Sequence, residues 1–503
     1  MLQYKNNPLY RFLQKSLITL PAIALLFTQT LIAYASKTEE RIAAQQALPI
    51  QSNQIEDWPD GPIVTAAAAI LMEAETGAVL YAKNIHEPHY PASTTKILTS
   101  LIISEMSSMD EVVTFSKDAV FGIPRGSNHI AMNVGDTLTM EDCLNAILIR
   151  SANEVSYAVA EHIGGTWAGF AEIMNNRARE LGCVDSNFVN PNGLPDENHY
   201  TSAYDLAMIG RAFFANDTLC GITQTPALRI MKESGEYIDH NKMELLPGKK
   251  YAYEYLVGCK TGYTDDARNT LVSCAEKNGM KLICVVLKDE TPAHYEDTIA
   301  LFNYGFSNFD KVNVSKSETK YNIDNTGFFY SDNDIFGSSK PLLALNRQDC
   351  IILPKTIGFE DTESTISYDT NDPGQAAVIS YTFRDVYIGS ASLDFVTDQE
   401  KTYTFDSVEG TVDSEENVTE KPKGKTSYIF INIMKVLLIL AGIAAVGFIA
   451  LLAWAFLRNY HFSFRKTRNK RGRTLGSAPT LQDWRKSQIK EAKRRRRQRR
   501  KRM

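Results

Sequence analysis

Between Val436 and Leu457 the chain runs for 22 residues without a charged side chain. About 20 apolar residues cross the hydrocarbon core of a bilayer as a helix, which satisfies its own backbone polar groups where no water is present. The stretch therefore reads as a single transmembrane helix with a long body before it and a short tail after it. Residues 458–503 hold 19 Lys and Arg against 2 Asp and Glu, whereas the 503-residue chain holds 54 against 59, a formal net charge of −5. The tail is thus strongly basic and the body acidic. An excess of Lys and Arg beside a span marks the cytoplasmic side. The tail (458–503) is expected in the cytoplasm against anionic lipid head groups, and the body outside a cell membrane that the chain crosses once. Beside a membrane span these charges are a topology signal, and no nucleic acid is expected as a partner.

The N-terminus agrees with export. Lys5, Arg11 and Lys15 precede an apolar run from Leu17, interrupted by Pro21 and Thr28-Gln29-Thr30 and closed by Ala33-Tyr34-Ala35. A basic region, a short apolar region and an A-x-A site read as a signal peptide, placed at 1–35, with an uncleaved N-terminal anchor as the alternative. The seven cysteines (143, 183, 220, 259, 274, 284 and 350) are odd in number and lack C-x-x-C spacing, so they outline neither a disulfide framework nor a metal site.

With 44% hydrophobic and 22% charged residues the body can bury a sizeable core. After a linker at 36–61, Ala66–Met72 and Ala78–Tyr81 read as strands around Glu75-Thr76-Gly77. From Pro91 to about Phe214 the apolar period is helical, with Ile97, Leu98, Leu101 and Ile102 on one face and Leu144, Ile147 and Leu148 on another. Strands return at Thr270–Ala275 and Lys281–Leu287, joined through Asn278-Gly279, a strong hairpin signal. Strands at both ends with helices between them make 62–310 an α+β domain whose sheet unites the two ends. Beyond it, alternating runs at Asp349–Leu353, Ala377–Phe383 and Val386–Phe395 indicate a small β-rich domain at 311–399. A polar stalk, 400–435, leads to the span.

Three short patterns occur in order: Ser93-Thr94-Thr95-Lys96, Ser151-Ala152-Asn153 and Lys260-Thr261-Gly262. Each alone is commonly a cap or a turn, and the chain contains decoys in Ser317, Ser463 and Ser487, each followed by Lys three residues later, and in Ser331-Asp332-Asn333. The decoys all follow the K-T-G. Ser93 opens a helix after Pro91, where an i, i+3 spacing sets the Lys96 amine beside the Ser93 hydroxyl. That pair suits a nucleophile and its base, provided burial and a neighbouring cation lower the lysine pKa. Between two helical runs, Ser151 can relay a proton and Asn153 can bind a peptide carbonyl. Lys260 and Thr261 can hold an anion, and Gly262 permits close backbone approach.

This ordered triplet resembles that of the serine penicillin-recognising enzymes. Together with Ala69–Gly77, Pro91–Lys96, Asn190–Asp196, His199–Ala207 and Gly258–Thr264, it is similar to the low-molecular-mass D-alanyl-D-alanine carboxypeptidases of peptidase family S11 over roughly Ala66 to Phe395. The resemblance implies a β-lactamase/DD-peptidase-like domain, an antiparallel sheet with a helical subdomain, followed by a small β-rich domain. It implies Ser93 as the acylated nucleophile, Lys96 as its base and Ser151 in proton transfer. Asn153, Lys260, Thr261, Gly262 and Tyr263 would bind substrate, with the backbone N–H groups of Ser93 and Tyr263 as the oxyanion hole. No cofactor or metal is implied. The partners implied are peptidoglycan stem peptides, with β-lactam antibiotics as inhibitors. His199 and Asp205 lie in the resembling segment, but as caps or loop anchors.

Two departures stand out: Glu154 where the family usually has Asp, and Arg268 where a small residue is usual, both expected to alter the cleft rim. The activity implied is removal of the terminal D-alanine through an acyl-enzyme. The alternatives are a β-lactamase, for which no Glu-x-x-Leu-Asn stretch between the second and third motifs supplies a deacylating base, a DD-endopeptidase acting on cross-links, and a non-catalytic cell-wall sensor.

Overall fold

The computed structural model describes residues 37–321 and 343–395, apart from Glu233 and Asn371. The segments 1–35, 400–435, 436–457 and 458–503, read as signal peptide, stalk, transmembrane helix and tail, lie outside the described residues. Among the described residues no helix is long and apolar enough to cross a membrane.

Residues 36–61, read as a linker, carry structure: helix α1 (residues 37–46) and a 3₁₀ turn at Gln51–Gln54. Trp58 is buried and donates its Nε1–H to Leu80 O at 3.0 Å. The first hairpin follows, β1 (Ala68–Glu73) and β2 (Val79–Lys83), turning at Gly77 with φ of 78°.

The helical region comprises α2 (Lys96–Met106), α3 (Lys117–Phe121), α4 (Met140–Asn145), α5 (Asn153–Gly164), α6 (Trp167–Glu180), α7 (Ala203–Phe214) and α8 (Asp217–Gln224). The hydroxyls of Thr139, Thr166 and Ser202 and the Asn216 amide oxygen accept N–H groups at the starts of α4, α6, α7 and α8, as good N-caps do. A short pair, β3 (Val112–Thr114) and β4 (Thr137–Thr139), interrupts this region. A hairpin, β5 (Ala227–Lys232) and β6 (Gly235–His240), follows it; the periodicity indicates neither pair. α2 is buried continuously from Lys96 to Ile103, so it is the central helix of the region.

β7 (Leu256–Thr264), β8 (Arg268–Lys277) and β9 (Met280–Asp289) form a meander. Asn278 and Gly279 take φ of 53° and 76°, as a two-residue I′ turn requires. β1 pairs antiparallel with β9, giving the order β2-β1-β9-β8-β7, so the sheet unites the two ends of the domain as expected. Both faces are covered. Ile70, Met72, Val272, Ile283 and Val285 pack under the helical region, while Leu71, Leu271, Leu282 and Val286 pack against α9 (Ala293–Asn308) and the sheet that follows. A sheet buried on both faces replaces polar/apolar alternation by continuous apolar runs, and every residue of β1 is buried.

The second sheet contains β10 (Phe309–Asn313), β11 (Leu343–Leu345), β12 (Cys350–Pro354), β13 (Glu363–Ser367), β14 (Gln375–Phe383) and β15 (Val386–Phe395), in the order β10-β12-β15-β14-β13 with β11 beside β15. A short helix α10 (Val314–Ser317) follows β10, and alternate residues of β14 are buried, the mark of a half-covered sheet. Trp58 joins the parts, its ring 5.2 Å from Phe309 and 6.4 Å from Phe383. All seven cysteines are free, and all but Cys350 are buried.

Candidate active site

β7 is the last strand of its sheet, so one of its edges faces the helical region. Between them lies a cleft of about 630 Å³. Ser93, Ser151, Asn153, Lys260, Thr261, Gly262 and Tyr263 all line it, and Lys96 lies fully buried beneath. The structure thus brings every anticipated site residue together, although the three motifs are far apart along the chain.

Ser93 sits in a 3₁₀ turn, Ala92–Thr95, and Lys96 is the first residue of α2. Side chains three apart eclipse in a 3₁₀ turn, which sets Lys96 Nζ 3.0 Å from Ser93 Oγ. Ala92 is held at φ of 49°, sterically costly for a side chain with a Cβ. Its surroundings hold the turn: Thr94 Oγ1 and Thr270 Oγ1 both donate to Pro91 O, at 2.7 and 2.9 Å. A Cβ on Gly193, itself at φ of 81°, would overlap Ala92 O, so only glycine fits there.

Lys96 also donates to Asn153 Oδ1 at 2.8 Å and to Asn192 O at 2.6 Å. Burial, reinforced by the neighbouring Lys260 charge, holds its pKa well below that of a free lysine, against a smaller opposing pull from Glu154. A neutral amine has two N–H groups and one lone pair. As an ammonium Lys96 donates to Ser93 Oγ and both carbonyl oxygens; in the neutral form the two carbonyl oxygens take both N–H groups, which turns the lone pair toward Ser93 and makes the Ser93 hydroxyl the donor. This is the geometry of a base poised on a nucleophile.

Ser151 ends a π-turn, Ala146–Arg150, with φ of 60°, and this left-handed residue re-aims the chain into α5. Lys260, 2% exposed on β7, donates to Ser151 Oγ at 3.2 Å and to Thr261 O at 2.8 Å. Burial lowers its pKa to about 8, with a small opposing influence from Cys259. A Cβ on Gly262 would stand 2.5 Å from Thr270 Oγ1 and 2.7 Å from Ser93 N, so this glycine lets β7 lie against the nucleophile.

Other residues supporting the site have plainer roles. His199 Nδ1 accepts from Val189 N at 3.0 Å, which leaves Nε2–H to donate to Thr95 Oγ1 at 2.9 Å. Asp205 accepts from Val184 N, Asp185 N and Ser186 Oγ, an anchor of the loop before α7. Glu154 is not on the rim. It is buried, its Oε1 accepts from Ile130 N at 2.7 Å, and it thereby holds the loop that brings Asn128 to the cleft. Sequence reasoning assigned no role to Asn192 or Gly193; the signals there were the turn composition of Asn190-Pro191-Asn192-Gly193 and the resemblance of Asn190–Asp196 to the S11 enzymes. Of the decoys, Ser317 ends α10 in the second sheet's domain, while Ser331, Ser463 and Ser487 lie outside the described residues. Among the described residues no cluster of His, Cys, Asp or Glu could hold a metal ion.

Comparison with known proteins agrees with this geometry. Residues 55–291 match the family described as D-alanyl-D-alanine carboxypeptidase, peptidase S11. A D-alanyl-D-alanine carboxypeptidase of Bacillus subtilis is 31% identical over 51% of this chain and 69% of its own length. One from Mycobacterium tuberculosis is 30% identical over 50% of this chain and 84% of its own. Among solved structures, penicillin binding protein 5 from Haemophilus influenzae superposes with a TM-score of 0.54 at 26% identity, covering 68% of this chain and 99% of that one. Penicillin binding protein 6B from Escherichia coli gives 0.51 at 25%, covering 68% and 98%. With its serine–lysine pair, its S-A-N and its K-T-G gathered on one cleft, the chain belongs to the D-alanyl-D-alanine carboxypeptidase family, peptidase S11.

Proposed function

We propose that the chain is a membrane-anchored, serine-type DD-carboxypeptidase that removes the terminal D-alanine from peptidoglycan stem peptides and is acylated by penicillins. The observation that carries the reading is Lys96, buried, with Nζ 3.0 Å from Ser93 Oγ and held there by hydrogen bonds to Asn153 Oδ1 and Asn192 O. Lys96 accepts the Ser93 proton as Oγ attacks the carbonyl carbon of the penultimate D-alanine. The negative charge on the carbonyl oxygen meets the N–H groups of Ser93 and Tyr263. Collapse breaks the C–N bond, and the proton taken up by Lys96 passes through the Ser151 hydroxyl to the departing amine, which leaves Lys96 neutral again. A water molecule then attacks the ester, with Lys96 again the base, releasing the shortened peptide and restoring Ser93. Asn153 directs its amide N–H groups at the substrate because its Oδ1 is engaged by Lys96. Lys260 and Thr261 hold the terminal carboxylate. The uncharged run at 436–457 and the basic tail support an extracytoplasmic body with a cytoplasmic C-terminus.

The test is mass spectrometry of the protein after exposure to a labelled penicillin. An adduct on the peptide containing Ser93, absent in a folded Ser93→Ala variant, is expected. Labelling that survives the substitution, or maps to Ser317, sinks the assignment.

A further inference from the structure

The turn after the third motif carries an arginine in a conformation that favours glycine. β7 and β8 are joined through Asp265, Asp266 and Ala267, and Arg268 pairs with Thr264 to close the loop with φ of 54°. The side chain accounts for arginine at this strained position. Arg268 Nε and Nη2 donate to the two oxygens of Glu290 at 3.2 and 2.8 Å, while Nη1 donates to Tyr263 Oη at 3.2 Å. The same Tyr263 hydroxyl donates to Asp265 Oδ1 at 3.1 Å, and the guanidinium stands 5.6 Å from the ring centre. A half-exposed tyrosine at the mouth of the cleft is thereby held at its far end.

Glu290 is 4% exposed and is shared: Arg41 Nε, on α1, donates to its Oε1 at 2.6 Å. Burial pushes the Glu290 carboxyl up, but the hydrogen bonds and charges of Arg268 and Arg41 outweigh it and hold it below the ordinary carboxylate range. α1 is itself fastened beside this point. Gln45 Nε2 donates to Lys288 O at 2.8 Å, and Lys83 Nζ donates to Gln45 O at 2.9 Å. A continuous ladder therefore runs from α1 through Glu290 and Arg268 to Tyr263.

We propose that Arg268 is a positioning residue for the reaction, holding Tyr263 and the end of β7 against Ser93, and that α1 takes part in catalysis at a distance because Arg41, through Glu290, orients Arg268. The proposal rests on the acyl-enzyme reading above, in which the Tyr263 N–H faces the developing oxyanion. It makes the segment preceding β1 part of the active-site support. Bidentate geometry matters: a lysine cannot join Glu290 to Tyr263 as the planar fork does.

The experiment uses the full-length chain and its Arg268→Ala, Arg268→Lys, Arg41→Ala, Arg41→Ala/Arg268→Ala and Tyr263→Phe variants. It measures kcat and KM on a peptide ending in D-alanyl-D-alanine, the rate of acylation by labelled penicillin, and Tm. Displacing a reacting group by about 1 Å costs on the order of a hundredfold, so Arg268→Ala is expected to lower kcat and the acylation rate by about tenfold or more, with KM changed less than about twofold. Arg268→Lys should fail to restore them. Arg41→Ala should lower the same quantities less, and the double variant should be no worse than Arg268→Ala, as for residues acting along one path. Tyr263→Phe should reproduce the direction of Arg268→Ala and keeps the test open if that variant does not fold. An unchanged kcat in Arg268→Ala or Tyr263→Phe, a loss confined to KM, or losses at positions 41 and 268 that multiply would overturn the proposal. Absence of a Ser93 adduct in the unmutated protein would instead overturn the acyl-enzyme reading.

Discussion

Exchanging the terminal carboxylate of the substrate for an amide isolates the charge assigned to Lys260. This lysine is 2% exposed, and Ser151 Oγ and Thr261 O occupy two of its three N–H groups, leaving one for a ligand in the cleft. Removing one partner of a buried charged contact costs about 2–5 kcal/mol. Since a factor of ten is about 1.4 kcal/mol, the amide should be cleaved with kcat/KM at least about tenfold below the free acid. That lower bound allows for water replacing part of the lost contact at the open side of the cleft. In Lys260→Ala the same exchange should matter far less, because the cation is already gone, and that non-additivity marks a direct contact. pH supplies a second axis. Burial lowers the Lys260 pKa to about 8, so the cation is present below that pH and lost as pH rises through it. The free acid should therefore hold its advantage below pH 8 and lose it above, a limb missing from the amide profile. Released D-alanine and D-alaninamide are quantified by mass spectrometry at matched substrate concentrations. Equal cleavage of the two peptides by the unmutated enzyme, or an advantage of the acid that survives Lys260→Ala, would refute the carboxylate site.

Three further outcomes are expected. Gly262→Ala, whose new Cβ must displace Ser93 N or Thr270, should slow acylation by labelled penicillin by on the order of a hundredfold with little change in Tm; normal acylation would show that the approach of β7 is not needed. His199 is buried with its pKa lowered to about 4 by desolvation, the Lys96 charge adding to this against Asp196, so an unfolded chain takes up a proton between pH 6.5 and 4 that the folded one refuses. Stability should fall as pH drops through that window, with about 3 kcal/mol assignable to this imidazole; urea unfolding curves of unmutated protein and His199→Gln that shift in parallel with pH would contradict the assignment. Protease added outside intact cells should shed the body and spare an epitope fused at Met503, and loss of that epitope would reverse the proposed orientation.

What the sequence by itself determined was whatever a single turn or a short spacing decides. The three-residue step from Ser93 to Lys96, the Asn278-Gly279 hairpin, the helical stripe of Ile97, Leu98, Leu101 and Ile102, and the order of the three motifs are local patterns. They survived folding because the physics that reads them is local. The tertiary structure decided the rest. β1 is buried on both faces, so its residues carry no alternation from which its partner could be read, and its pairing with β9 is settled by packing between distant segments. The 36–61 segment is too polar to announce a core, yet Trp58 and Arg41 each find a partner far along the chain. Asn192 enters the site through a backbone carbonyl, which any residue possesses and no motif records. Lys96 is suited to act as a base because burial and the charge of Lys260 lower its pKa, and both depend on β7 being laid against the Ser93 turn that opens α2. A sequence shows which side chains are available for chemistry; solvent exclusion, carbonyl placement and charge proximity exist only once distant segments share a cleft.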